Sequence, residues 1–191
     1  MLLGQFQSTG RDLFNLGLVA SSTGNLSVRL RERIIITRSN VGLNCLEEPD
    51  LIETGLKRND RATPLASRDL LIHRAIYQAT RASSVVHAHP PHAIALSLTA
   101  REIVPSDSEG NVTIGTVPVL GQDIRPDALA EEIARALGEH RVVMVSGHGS
   151  YAAGQLLEEA LSYTTMLEAS ARINCLLRSL KVGSFPQVQL S

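Results

Sequence analysis

Aromatic side chains are scarce: three Phe, three Tyr and no Trp, 3% of the chain. So little stacking surface argues against recognition of single-stranded nucleic acid, which rests on aromatic platforms. There is no charge excess of either sign. Eighteen Lys and Arg against nineteen Asp and Glu leave a net charge of -1, without the basic excess of a dedicated nucleic-acid binder or a polybasic membrane anchor. No apolar run is long enough for a spanning helix. The opening MLLGQFQSTGRDLF lacks the basic-then-apolar order of a signal peptide. Only two cysteines occur, Cys45 and Cys175, too few for a disulfide framework. The expectation is a cytoplasmic, reduced protein that partners neither nucleic acid nor membrane, with both thiols as buried filler.

What is present suits one domain. Hydrophobic residues make up 43% of 191 residues, enough for a single sizeable core and too many for a disordered chain. There is no internal repeat and no low-complexity tract. Helical spacing of Leu13, Leu16 and Val19 predicts a first helix over Leu3–Val19, broken by Ser21-Ser22-Thr23-Gly24. Two short strands, Asn25–Leu30 and Arg33–Thr37, flank a charged turn and read as a hairpin. A strand near Leu51–Thr54 and a helix over Ser67–Arg81 follow, the helix opening on Ser-Arg-Asp. Ser84–His89 reads as a strand stopped by Pro90-Pro91, and His92–Leu98 as a short helix. Val112–Val119 reads as a strand, Pro126–Leu137 as a helix with proline in its first turn, Val142–Val145 as a buried strand and Leu156–Leu177 as a long closing helix. Residues 181–191 read as a loose tail after a domain spanning 1–180. Interleaved strands and helices place the chain in the α/β or α+β class.

The histidines carry the chemistry. His87 and His89 stand two apart in a strand pattern, which puts both imidazoles on one face and Ala88 on the other. Two nitrogen donors on a rigid strand are half of a metal site. His148 follows a separate apolar strand between two glycines, which permit a sharp turn and leave room for a ligand. Three histidines and one open position are the pattern of a catalytic zinc site. The same residues also fit half-buried, hydrogen-bonded imidazoles, and spacing alone does not bring distant histidines together. His73, four residues after Asp69, reads as a structural or supporting group. His92 reads as a surface or helix-start residue, and His140 as solvated.

Several blocks, taken in order, resemble the class II aldolase/adducin family. Gly24-Asn25-Leu26-Ser27-Val28-Arg29 is similar to its GN-x-S-x-R strand, and Ile36-Thr37-Arg38-Ser39-Asn40 to its I-T-P-S-G turn. Ser67-Arg68-Asp69-Leu70-Leu71-Ile72-His73 is similar to S-S-E-x-x-x-H, and Val85-Val86-His87-Ala88-His89-Pro90 to V-V-H-x-H-P. Gly147-His148-Gly149 is similar to N-H-G, and Gly154 with Glu158-Glu159-Ala160 to the closing G-x-x-x-E-E-A helix. The match runs over roughly residues 10–175.

The resemblance implies a single three-layer α/β/α domain with a central, mostly antiparallel sheet, assembled as a homotetramer with metal sites near subunit interfaces. It implies zinc, or another divalent metal, on His87, His89 and His148, with Asp69 in the place of the acid/base carboxylate. It further implies a substrate phosphate held by Gly24, Asn25, Ser39, Ser67 and Arg68. The activity implied is cleavage of a small phosphorylated ketose, of the fuculose-1-phosphate type, to dihydroxyacetone phosphate and an aldehyde. Sugar-phosphate 4-epimerisation and dehydration use the same parts, and adducin-like members are non-enzymatic modules. Three departures stand out. Asp69 replaces a glutamate and reaches about 1.5 Å less far on standard bond lengths; the family's ribulose-5-phosphate 4-epimerase has an aspartate in this place. Arg38, Asn40 and Arg68 replace smaller or constrained residues, and guanidinium groups suit a phosphate or carboxylate. No tyrosine follows Tyr163, whereas the aldolases use a C-terminal one. Asp107, Glu109 and Tyr151 are the candidates left for a second proton donor.

Overall fold

A computed structural model describes residues 2–121 and 125–180. The expected tail, 181–191, lies outside the described residues. Eight strands form one sheet: β1 (Asn25–Leu30), β2 (Arg33–Thr37), β3 (Leu51–Gly55), β4 (Ser84–Ala88), β5 (Glu102–Ile103), β6 (Val117–Leu120), β7 (Val142–Val145) and β8 (Gly149–Gly154). Their order is β3-β2-β1-β4-β8-β7-β6-β5. Every neighbouring pair is antiparallel except β6 with β7. The helices are α1 (Leu2–Asn15), α2 (Leu70–Ala79), α3 (Pro91–Ser97), α4 (Ser108–Thr113), α5 (Pro126–Ala136) and α6 (Leu157–Ser179).

Strand alternation divides the interior into two cores, one on each face of the sheet. Leu26, Val86, Ala88, Val142, Met144 and Ala152 point to the side that carries α1, α3 and α6. Val85, Val143, Val145 and Tyr151 point to the side where α2 and α5 pack on each other. The period of two thus buries both faces, and the expected three layers result.

The β1–β2 hairpin and β3 lie where alternation predicts them. Elsewhere local signals misled. The expected strand over 112–119 is a short helix, α4, followed by β6. The Asp107 side chain accepts the Gly110 N–H at 2.7 Å and starts α4, and Gly115 at φ +60° interrupts the chain after it. Val112, read as a strand residue, is 85% exposed. Strand β8, GSYAAG, went unread because it lacks β-branched residues; it is paired on both edges and packs under α6. Cys45 is exposed and Cys175 half-buried, not filler. In the short turn 43–45, Leu43 takes the buried place. His140 is half-buried ahead of β7, less solvated than expected.

Helix α1 lies so close to that turn that a Cβ at Gly10 would run into the Leu43 carbonyl, whereas nothing stands within 4 Å of a Cβ at Gly4. Gly10→Ala is expected to lose about 1–3 kcal/mol of unfolding free energy in urea titration, and Gly4→Ala to be neutral or gain up to about 1 kcal/mol.

Candidate metal centre

The three histidines lie on β4, just past its end, and on the turn that enters its neighbour β8. His87 is on β4, with its backbone paired to Asn25 on β1 and to Tyr151 on β8. His89 lies just past β4, where its N–H donates to the Leu18 carbonyl at 2.7 Å. His148 rides on the tight turn joining β7 to β8, its N–H on the Val145 carbonyl at 3.0 Å. Ser97, at the end of α3, braces that turn: its hydroxyl accepts the Gly147 N–H at 3.0 Å, and its carbonyl accepts from the Ser146 hydroxyl at 3.0 Å. One nitrogen from each of His87, His89 and His148 falls within 4.8 Å of the others. Burial is graded, from His87 through half-buried His89 to exposed His148, so the group opens to solvent on one side.

The tautomer of His87 follows from its partner. Its Nδ1 is 2.9 Å from the Ser150 carbonyl, which only accepts, so Nδ1 carries the proton and Nε2 presents a lone pair. The Nε2 atoms of His87 and His89 face each other at 3.0 Å. Burial pushes the His87 imidazole down to about 3. Burial, then the neighbouring His148, also lowers His89. Neutral imidazoles are the form that ligates. A Cβ at Gly149 would stand 2.5 Å from the Ala88 carbonyl, 2.7 Å from His89 and 3.1 Å from His87, so glycine keeps the space clear. Three imidazoles converging on a cleared space fit a divalent ion such as zinc.

Asp69 stands at the N-cap position of α2 but makes no cap bond. Its carboxylate turns instead to the sheet, where Asn25 Nδ2 donates to Oδ2 at 2.7 Å and His87 Nε2 lies 3.6 Å away. Burial raises this carboxyl, but the neighbouring His87 and then the Asn25 hydrogen bond, with His73 and His148 behind them, outweigh it and hold it below the usual range in the acid region where those rings can carry charge. The site therefore pairs the Asp69 carboxylate with the neutral His87 and His89 rings near pH 7.

The residues expected to hold a phosphate fall into two groups. Asn25 and Ser67 touch Asp69 directly: Ser67 Oγ accepts the Asp69 N–H at 3.3 Å. Gly24, at φ +75°, brings the chain so close to the His87 carbonyl that a Cβ would lie 2.8 Å from it. Ser39 is held by the Leu65 carbonyl at 3.1 Å, beside the Arg38–Ala66 bridge. Arg68 is exposed between Ser67 and Asp69. Arg38 instead folds back on the Pro49 carbonyl at 3.4 Å. Of the candidate second proton donors, Asp107 is committed to capping α4, and Glu109 sits in the first turn of that helix. Tyr151 stacks on His87 with ring centroids 4.2 Å apart.

His73 is supporting, as read: fully buried, with Nδ1 2.6 Å from the Ser27 hydroxyl. His92 starts α3, its ring and N–H both on Glu168. Sequence reasoning did not find Ser97 or the Ser150 carbonyl. Neither has a local signal, because each acts through a contact between distant elements.

A family model, Class II Aldolase and Adducin N-terminal domain, matches residues 5–175. The chain belongs to this family. It superimposes on the crystal structure of L-fuculose-1-phosphate aldolase from Thermus thermophilus with TM-score 0.89 and 36% identity, covering 97% of this chain and 98% of that one. A "Probable bifunctional methylthioribose-1-phosphate isomerase/methylthioribulose-1-phosphate dehydratase" of Nocardia farcinica is 28% identical over 85% of this chain, which spans only 33% of that protein. A 3,4-dihydroxyphthalate decarboxylase of Arthrobacter keyseri is 29% identical over 86% of this chain and 73% of its own length. No described helix is long and apolar enough to cross a membrane.

Protein purified without added metal is expected to carry about one divalent ion per chain by elemental analysis. His89→Ala is expected to lose it, because two imidazoles hold zinc poorly.

Proposed function

We propose that this chain is a metal-dependent class II aldolase that cleaves a small phosphorylated ketose to dihydroxyacetone phosphate and an aldehyde. The observation that carries the reading is the convergence of His87, His89 and His148 within 4.8 Å, with the Asp69 carboxylate 3.6 Å from His87. Those imidazoles would hold zinc or a similar divalent ion. What such an ion supplies is Lewis-acid stabilisation of the negative charge that develops on the oxygens beside the breaking carbon–carbon bond.

The protein's own groups do the rest. Asp69, kept ionised at neutral pH, is the base that takes and returns the proton at the carbon next to the ketone. The Asn25 amide fixes its Oδ2 and leaves the second oxygen for that transfer. Gly24, the remaining N–H of Asn25, Ser39, Ser67 and Arg68 receive the phosphate, which contributes binding energy away from the reacting bond. Arg68 has no ion-pair partner among the described residues, so its guanidinium is free for an anion. The homotetramer implied by the family resemblance belongs to the same proposal.

A second reading, 4-epimerisation at the same centre, is favoured by Asp69 standing where the aldolases carry glutamate; dehydration and decarboxylation are the activities named for two relatives at 28–29% identity. One experiment separates them. Dihydroxyacetone phosphate incubated with the metal-loaded protein in D2O is expected to lose one C–H proton signal stereospecifically by NMR. No exchange, with metal bound, overturns the aldolase reading. Asp69→Asn is expected to keep its metal and lose about 100-fold or more of this exchange. Unphosphorylated dihydroxyacetone is expected to exchange far more slowly; equal rates would remove the phosphate pocket from Gly24, Asn25, Ser39, Ser67 and Arg68.

A further inference from the structure

Asp69 and His87 both need holding, and one side chain is placed to serve both. Register pairs Tyr151 on β8 with His87 on β4, so both project to the face covered by α2. The two rings are nearly parallel, 14° apart with centroids 4.2 Å apart. Tyr151 is 1% exposed and is part of the same core as Val143 and Val145. Asp69 meets the same imidazole, its Oδ2 3.6 Å from His87 Nε2, so the phenol and the carboxylate both lie against His87, and burial together with the nearby carboxylate pushes the Tyr151 phenol well up. His73, one helical turn after Asp69, closes the back of the group, its ring edge-on to Tyr151 at 6.3 Å.

We propose that Tyr151 is a positioning residue of this centre: its ring fixes the plane of His87, and its hydroxyl donates to Asp69 and holds that carboxylate beside the three histidines. This inference rests on the reading of these residues as one reactive site. It gives the short acid of this chain a reason to work. An aspartate reaches less far than a glutamate, and the deeply seated phenol, together with Asn25 Nδ2, fixes where its carboxylate sits. Two of roughly four lone-pair positions are then occupied, and the others remain for the proton. A phenylalanine would keep the stack and lose the donor; a leucine would lose both.

The test uses Tyr151→Phe, Tyr151→Leu and Asp69→Ala, with two readouts that need no turnover. The first is urea unfolding of the metal-free protein. Tyr151→Phe is expected to lower the midpoint in the native background and to leave it nearly unchanged in Asp69→Ala, which has no acceptor for the hydroxyl. Equal shifts in both backgrounds would overturn the hydroxyl's role. The second is zinc affinity by chelator competition. Tyr151→Phe is expected to stay within about twofold, and Tyr151→Leu to weaken binding about tenfold, the scale of losing a group that orients a ligand. Equal affinities for Phe and Leu would overturn the ring's role. Turnover adds a third readout. With dihydroxyacetone phosphate in D2O, Tyr151→Phe is expected to lower kcat about tenfold with KM little changed. An unchanged kcat would count against positioning of Asp69. Absence of exchange in the native protein would sink the aldolase reading alone, because the first two readouts still decide the role of Tyr151.

Discussion

The pairing of β4 with β8 is the contact on which the site depends. It is a central pairing, so neither strand can slide without moving its entire buried set to the wrong face of the sheet. The register sets His87 against Tyr151 and Ala88 against Ser150. It thereby places the Ser150 carbonyl under His87 Nδ1 and brings the turn that carries His148 alongside the end of β4. Small residues along β8 allow the close approach: Gly149 fits where any side chain would strike both His87 and His89.

Burial then determines which charges survive. An imidazole enclosed by β-strands is neutral because a buried cation is costly, and His87 and His73 are both pushed well below their ordinary range for this reason. Asp69 escapes the same fate by its position at the mouth, 24% exposed, with an amide donor on one oxygen. The outcome is a carboxylate beside neutral nitrogen donors, a combination that both ligates and moves protons.

Asp69 also shows how site and fold compete for one residue. At the start of α2 a carboxylate would ordinarily cap the helix. Here it makes no cap bond, and the helix begins at Leu70 rather than at Ser67, where sequence signals place it. The orientation toward Asn25 gives up a local stabilising interaction for a long-range one, a conflict expected at functional sites.

By itself, the sequence determined the pieces whose physics is local. Period two along residues 84–89 set both histidines on one face, and proline ended that strand. Alternation gave the β1–β2 hairpin, and the ordered motifs gave the family and its three-layer fold. What only the tertiary structure decided is everything that depends on distance across the chain. That His148 meets His87 and His89, that Ser97 braces the turn beneath it, and that Tyr151 backs His87 all follow from strand order and register, which are set by how two cores close on a sheet and leave no trace in local spacing. The same reason explains the errors: β8 is a strand because it is enclosed, not because its residues favour one, and residues 108–113 turn helical because a cap and a glycine outweigh the strand preference of Val112.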